Sequence, residues 1–253
     1  MIRYFSVSIK SCRTLAFGLS FVMIVLSLNG CYAIESKKSP TEIYQMALSG
    51  LSGVDNFKFR GRAEVYGTNG KRILEPINYE GNVIGHKQQT FKIASESGTA
   101  LTYSERWNPL HQLELLRNLG KSIQINEQKS NDQQIVLEIK LNPGEGTKLL
   151  IQNLKSEMNG LQEGRYLVQN AAKLDVKKQK ELQKELDSIY KNGVTKLQSL
   201  TQNMESNASY VLWVDRSSLI PTRVYSKTQT RFVDKGKART EAVTTDAKFD
   251  GYQ

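Results

Sequence analysis

From Phe57 to Val65 the side chains alternate in kind: Phe57, Phe59, Gly61, Ala63 and Val65 fall on one side, Lys58, Arg60, Arg62 and Glu64 on the other. Successive residues of a strand point to opposite faces, so a period of two specifies a strand with one buried and one wet face. The run ends at Gly67-Thr68-Asn69-Gly70, a strong hairpin-turn signal. Further strands are predicted over Ile73–Ile84 and Gln88–Ala94, separated by Gly85-His86, and over Ala100–Trp107. The first half of the chain thus reads as an antiparallel meander.

Helices frame it. Ser39-Pro40-Thr41-Glu42 has Ser at an N-cap, Pro at the first helical position and Glu three residues on, a capping box. Ile43, Met46, Ala47 and Leu51 then form an apolar stripe, with Gly50 and Gly53 closing the helix. Asn108-Pro109 opens a second helix with Leu110, Leu113 and Leu116 on one face and Gly120 at its end. Strands at Ser122–Asn126 and Gln133–Leu141 flank a polar turn, Gln128–Asp132.

From about Thr147 to Ser206 the pattern is helical. Leu150, Leu154 and Met158 precede Asn159-Gly160; Leu182, Leu186, Ile189, Leu197, Leu200 and Met204 continue a heptad-like stripe, with Asn192-Gly193 as a kink or cap. Two readings stand: an exposed coiled coil awaiting a partner, or helices packed on this protein's own sheet, the second being the plainer. Sheet returns with Tyr210–Val214, apolar on both faces and so central. Arg216–Pro221 turns, Arg223–Phe232 is a long strand, and Asp234-Lys235-Gly236 turns into Ala238–Phe249.

The N-terminus has another logic. Arg3, Lys10 and Arg13 precede an apolar run from Leu15 to Leu28, and no acid occurs before Cys31. The run is shorter than the about 20 residues a spanning helix needs, so it reads as a secretory signal. Leu28-Asn29-Gly30-Cys31 resembles the bacterial lipobox, which implies a cysteine diacylated on sulfur before cleavage. A plain signal with an incidental cysteine and an uncleaved anchor are the other readings. Cys12 falls inside the signal, so Cys31 remains alone and no disulfide framework is possible. The expected division is a signal over 1–30, a tether over 31–38 containing the polar spacer Glu35–Ser39 up to its last residue, and one domain over 39–253 with the helical segment inside it. The expected location is extracytoplasmic, lipid-anchored through Cys31 to the bacterial cell membrane.

Removing the three signal charges from a net +10 leaves +7. A basic tethered domain suits anionic lipid head groups or wall polymers; a solvated lysine-rich surface is the plain alternative. Nucleic acid is not an expected partner, because acids interrupt the bases, as in Lys184-Glu185-Leu186-Asp187 and between Asp234 and Glu241, and no basic–aromatic patch stands out.

Two stretches resemble a family. "ALSGLSGVDNFKFRGRAEVYGTNG" (47–70) is similar to the start of mature proteins of the LolA/LppX-like lipoprotein-carrier superfamily. "YVLWVDRSSLIPTRVYSKTQTRFVDKGK" (210–237) resembles that superfamily's hairpin of a hydrophobic strand ending in Asp, a turn closed by Leu-Ile-Pro, and a lengthening strand. The resemblance implies an α+β fold: one strongly curved antiparallel sheet, an incomplete barrel, with helices closing its concave side over an apolar cavity. It implies binding of a lipid or other hydrophobic ligand, or an envelope sensor that recognises a protein partner. The helical segment 147–206 is longer than the lid of the simplest members. A half-closed barrel can hold apolar side chains inward without filling the space, and the candidate lining residues are Phe57, Phe59, Ala63, Val65, Trp107 and Trp213.

Enzyme signals are poor. His86 and His111 are the only histidines and no HExxH occurs, which leaves little material for a metal site or a Ser-His-Asp triad. Gly144-Glu145-Gly146-Thr147-Lys148 lacks the phosphate-loop spacing and reads as a turn before a helix. Asp215 and Asp250 could pair, yet both adjoin turns, where Asp serves local hydrogen bonding. No catalytic residue, metal or cofactor is expected.

Overall fold

The computed structural model describes residues 38–86, 88–94, 107–169 and 175–253. Helix α1, Pro40–Gly53, begins as its capping box requires. The Glu42 amide donates to Ser39 Oγ at 3.2 Å and the Ser39 amide donates to the Glu42 carboxylate at 2.7 Å, satisfying two otherwise orphaned donors. Its buried side is Ile43, Tyr44, Ala47, Leu48 and Leu51. Met46, expected on that stripe, is 40% exposed, because at about 100° per residue it falls more than a quarter-turn from the centre of the face. Gly50 lies within the helix, against the Leu219 carbonyl, and does not end it.

Eight strands follow: β1 Phe57–Tyr66, β2 Ile77–Ile84, β3 Gln88–Ala94, β4 Lys121–Ile125, β5 Gln134–Leu141, β6 Glu205–Asp215, β7 Pro221–Asp234 and β8 Lys237–Asp250. They form one antiparallel sheet in the order β3-β2-β1-β8-β7-β6-β5-β4, which does not close into a barrel among the described residues. Together with the helices this is the expected α+β class. The turn after β1 is present, with a Tyr66–Arg72 bridge and the Ile73 amide donating to the Val65 carbonyl at 2.9 Å. β2 starts at Ile77 and not at Ile73, since Pro76 has no N–H to give the ladder. The expected strand at Ala100–Trp107 lies outside the described residues apart from Trp107.

Helix α2, Pro109–Arg117, is capped by Asn108, whose side chain accepts the Leu110 amide hydrogen at 3.0 Å. The long helical segment is two helices, α3 Glu145–Gln169 and α4 Val176–Thr201. Neither Asn159-Gly160 nor Asn192-Gly193 breaks them. Gly193 instead lets the helices approach: a β-carbon there would stand 3.3 Å from the Met158 methyl.

The pleat and the registers sort the sheet into two faces. The inner face carries rows such as Phe59–Phe249, Ala63–Thr245, Val224–Ala247, Leu212–Val224 and Leu137–Leu212. α1 and α2 pack against it, and residues from Ile43 to Tyr252 join one hydrophobic cluster. The α3–α4 hairpin does otherwise. Gly146 and Thr147 lie against Ser206, and Lys196 Nζ stands 3.7 Å from Asp234, so the hairpin meets the sheet at its base. Beyond that base its described side chains are half-buried or exposed. The plainer reading of 147–206, helices packed on this protein's own sheet, is therefore corrected: α3 and α4 form an arm, and α1 and α2 are the helices that lie on the inner face.

Candidate functional site

One end of the sheet, here the upper, holds Phe57, Asp250 and the β6–β7 turn; the lower end holds the β1–β2 turn, the β7–β8 turn and the base of the arm. On the upper half of the inner face the space is filled. Leu137, Leu212 and Val214 are fully buried there, as are Leu113 and Leu116 of α2 and Tyr44 of α1; one row lower, Ile139 and Tyr210 continue the filled core on β5 and β6, and burial pushes the Tyr210 phenol up to about 12. Two glycines make this packing possible. The Tyr79 ring lies across Gly61, where a β-carbon would come 2.5 Å from Tyr79 Oη, and the Phe59 ring lies across Gly81.

Below these rings the character changes. Ser226 and Thr245 hydroxyls bond at 2.7 Å, Ser206 and Thr230 at 3.1 Å, and Tyr79 Oη is buried without a hydrogen bond of normal geometry. Burial raises the Tyr79 phenol, with Asp246 adding to the effect. Beside this polar row runs an apolar strip. Ala63 pairs with Ile77, Val65 with Val243, and Tyr79 with Ile93, and Ile77, Val65, Val243 and Ile93 are only half-buried. At the lower end the strip reaches Ile73 and Leu74, 52% and 54% exposed.

The outer face is polar. A groove of about 600 Å³ crosses β2, β1, β8 and β7 and is lined by Arg60, Arg62, Glu64, Glu80, Asp246 and Lys248 among others. Arg60 and Arg62 face carboxylates, Asp250 at 3.1 Å and Glu64 at 2.8 Å, so the groove is charged in both signs. Nearby, Arg223 makes two bonds to Asp246, of 2.7 and 2.6 Å, while its guanidinium sits 4.6 Å above the Trp213 ring. Opposite Trp213 in the ladder, Val136 is fully buried on this same outer face.

The residues singled out from sequence are thereby distributed. Phe57, Phe59, Ala63 and Trp107 are packed within the inner cluster. Val65 is a half-buried member of the apolar strip. Trp213 stands on the opposite face, because its register partner Val136 alternates with the inward Ile135 and Leu137. Cys31 lies outside the described residues. Ile77, Ile93 and Val243 escaped the sequence reading; the missing information was strand pairing, of Ile77 with Ala63, of Ile93 with Tyr79, and of Val243 with Val65 far away in the chain.

The polar residues weighed for chemistry have structural employment. Asp215 Oδ1 accepts from the Ser217 amide and hydroxyl at 3.0 and 2.6 Å and from those of Ser218 at 2.8 and 2.9 Å. The Ser217 hydroxyl, then the Ser218 amide, hold its pKa below the ordinary value. Asp250 pairs with Arg60 and lies two strand spacings away, about 10 Å, so the two carboxylates do not form a dyad. His86 contacts Asp55 beside the β2–β3 turn. Lys148 bonds Glu145 at 2.8 Å within the first turn of α3. Among the described residues no group of three or more His, Cys, Asp or Glu is placed to hold a metal ion, and no helix is long and apolar enough to cross a membrane.

No family model matches the sequence, and no curated protein matches it. Among solved structures, the crystal structure of a LolA superfamily protein from Nitrosomonas europaea aligns with 85% of this chain and 93% of its own at 10% identity, with a TM-score of 0.29. At that score the two molecules do not superpose as wholes, and the fold stands on this chain's own sheet.

Proposed function

We propose that the protein is an extracytoplasmic lipoprotein, anchored to the bacterial cell membrane through Cys31, that binds a lipid or other hydrophobic ligand on the lower half of its inner sheet face. The observation that carries this reading is the half-buried strip of Val65, Ile77, Ile93 and Val243, bordered by the buried Tyr79, Ser226 and Thr245. A tail along such a strip loses contact with water at about 25 cal/mol per Å², and the hydroxyl row supplies polar groups for one end of it. The test is uptake of a fluorescent fatty acid by the chain carrying Cys31→Ala. Val243→Asp is expected to weaken uptake at least tenfold. Unchanged uptake in that variant, or no uptake by the parent, rejects the site. Anchoring is checked separately: palmitate label should vanish in Cys31→Ala.

The arm favours a second reading, in which the protein recognises an envelope protein. Its helices pack on each other and meet the sheet at the base, and Ile189 is 60% exposed. Replacing 150–196 by a short linker should abolish partner capture while fatty-acid uptake persists; capture without the arm counts against it.

A further inference from the structure

The lower end of the sheet combines three features that the ligand strip does not require. The first is apolar exposure: Ile73 and Leu74 sit just past the β1–β2 turn, more than half exposed. The second is unpaired positive charge at the same end. The Thr240 amide donates to Thr68 Oγ1 at 3.0 Å, which ties the start of β8 to the β1–β2 turn. Lys71 therefore shares the surface with Lys235 and Lys237, and these three lysines make no ion pair with a described residue. Arg72 and Arg239 stand beside them, opposite Glu64 at 3.6 Å and Asp234 at 3.5 Å. Glu75, Glu241 and Glu205, the last in register with Arg231, are further acids of this end.

The third feature is where the chain enters. α1 runs with Gly50 against Leu219 of the upper turn, whereas Tyr44 lies under Lys121, whose Nζ is 5.5 Å from the ring and which pairs with Leu141 at the lower end. Ser39 lies about a turn further toward that lower end. The point at which residue 38 leads into the fold and the Ile73–Leu74 pair thus lie toward the same end of the sheet.

Exposed aliphatic side chains at the same end of a sheet as unpaired lysines are the chemistry of an interfacial contact with an anionic bilayer, where the apolar groups enter the head-group region and each lysine meets negative surface potential. We propose that the lower end docks on anionic phospholipid, with Ile73 and Leu74 inserted and Lys71, Lys235 and Lys237 at the head groups. Docking so would present the open end of the Val65–Val243 strip to the bilayer. This rests on the membrane-associated reading of the protein, but the surface is independent of Cys31 acylation.

The experiment uses residues 38–253, which contain the whole hydrophobic cluster, and so carries no anchor. Co-sedimentation is measured with phosphatidylglycerol–phosphatidylcholine vesicles and with pure phosphatidylcholine. The expected result is binding to the first and little to the second, weakened at least tenfold by Ile73→Ser with Leu74→Ser and similarly by Lys71→Glu with Lys237→Glu. Ile84→Ser, which removes an equally exposed aliphatic group at the upper end, should leave it unchanged. Far-UV circular dichroism confirms that each variant is folded. Equal loss with Ile84→Ser, no binding by the parent, or a dimer in vesicle-free buffer that depends on Ile73 and Leu74 would overturn the proposal. Fatty-acid uptake and palmitate labelling remain separate readouts, so failure here is distinct from failure of the binding or anchoring reading.

Discussion

Gly61→Ala is expected to disturb the inner face far more than its single methyl group suggests. Gly61 pairs with Tyr79 on β2 and Ala247 on β8, and the added β-carbon would meet Tyr79 Cζ, Cε2 and Oη, the last at 2.5 Å. Carbon contacts in proteins settle near about 3.5–4.0 Å, so the ring must move by roughly an ångström. It has nowhere to go: Tyr79 is 3% exposed and stacks on Phe91 with centroids 5.7 Å apart. Overpacking of this kind costs about 1–3 kcal/mol. The clash, and not a general intolerance of side chains in β1, is the claimed cause, and a double-mutant cycle isolates it. Tyr79→Leu removes the colliding atoms, so adding Gly61→Ala to it should cost little, giving a coupling of about 1–3 kcal/mol. Urea unfolding of residues 38–253, followed by tryptophan fluorescence, measures all four corners. Additivity within about 0.5 kcal/mol would refute the reasoning.

Other perturbations follow from the same geometry. Ser39→Ala should lower stability by about 1 kcal/mol through loss of the α1 cap, seen as a lower urea midpoint. Asp215 titrates below its ordinary value in the folded chain, so its contribution is present above the unfolded value of about 3.9 and lost as pH falls through the folded one. Asp215→Asn should therefore be less stable than the parent at pH 7, with the gap narrowing at pH 3; a constant gap would contradict this. Arg223→Lys should cost about 0.5–1 kcal/mol, since lysine keeps the charge but loses the paired bonds to Asp246 and the planar stack on Trp213 at a half-exposed site. Trp213→Ala in the Arg223→Lys background should then cost less than Trp213→Ala alone.

Much of the fold was legible because its signals are local. The alternation in β1, the Ser39–Glu42 box, the Asn108 cap and the Gly-rich turns each depend on neighbours a few residues away, and each appears where those residues put it. What was not legible depends on partners distant in sequence. Trp213 alternates correctly, but which face it joins is set by α1, α2 and β8, and they enclose Leu212 and Val214 instead. The arm misled for a related reason. A stripe such as Leu182, Leu186 and Leu197 demands burial without naming the surface, and α3 supplies it in place of the sheet. The apolar strip was invisible because its members come from four strands whose adjacency is fixed by β1 lying between β2 and β8.

That last adjacency has a consequence for the order of assembly. Lys58 pairs with Asp250, so the first strand made must wait for the last before its second edge is filled. Until residues 237–250 exist, β1, β2 and β3 are a three-stranded fragment with Phe59 and Ala63 uncovered on that side, and non-local pairing of this kind is slow. A chain emerging from its N-terminus cannot lock prematurely; it remains threadable until its final strand is delivered. Truncation at residue 236 should leave a chain that binds a hydrophobic dye and is cut throughout β1–β3 by protease, whereas restoring the last strand should silence both.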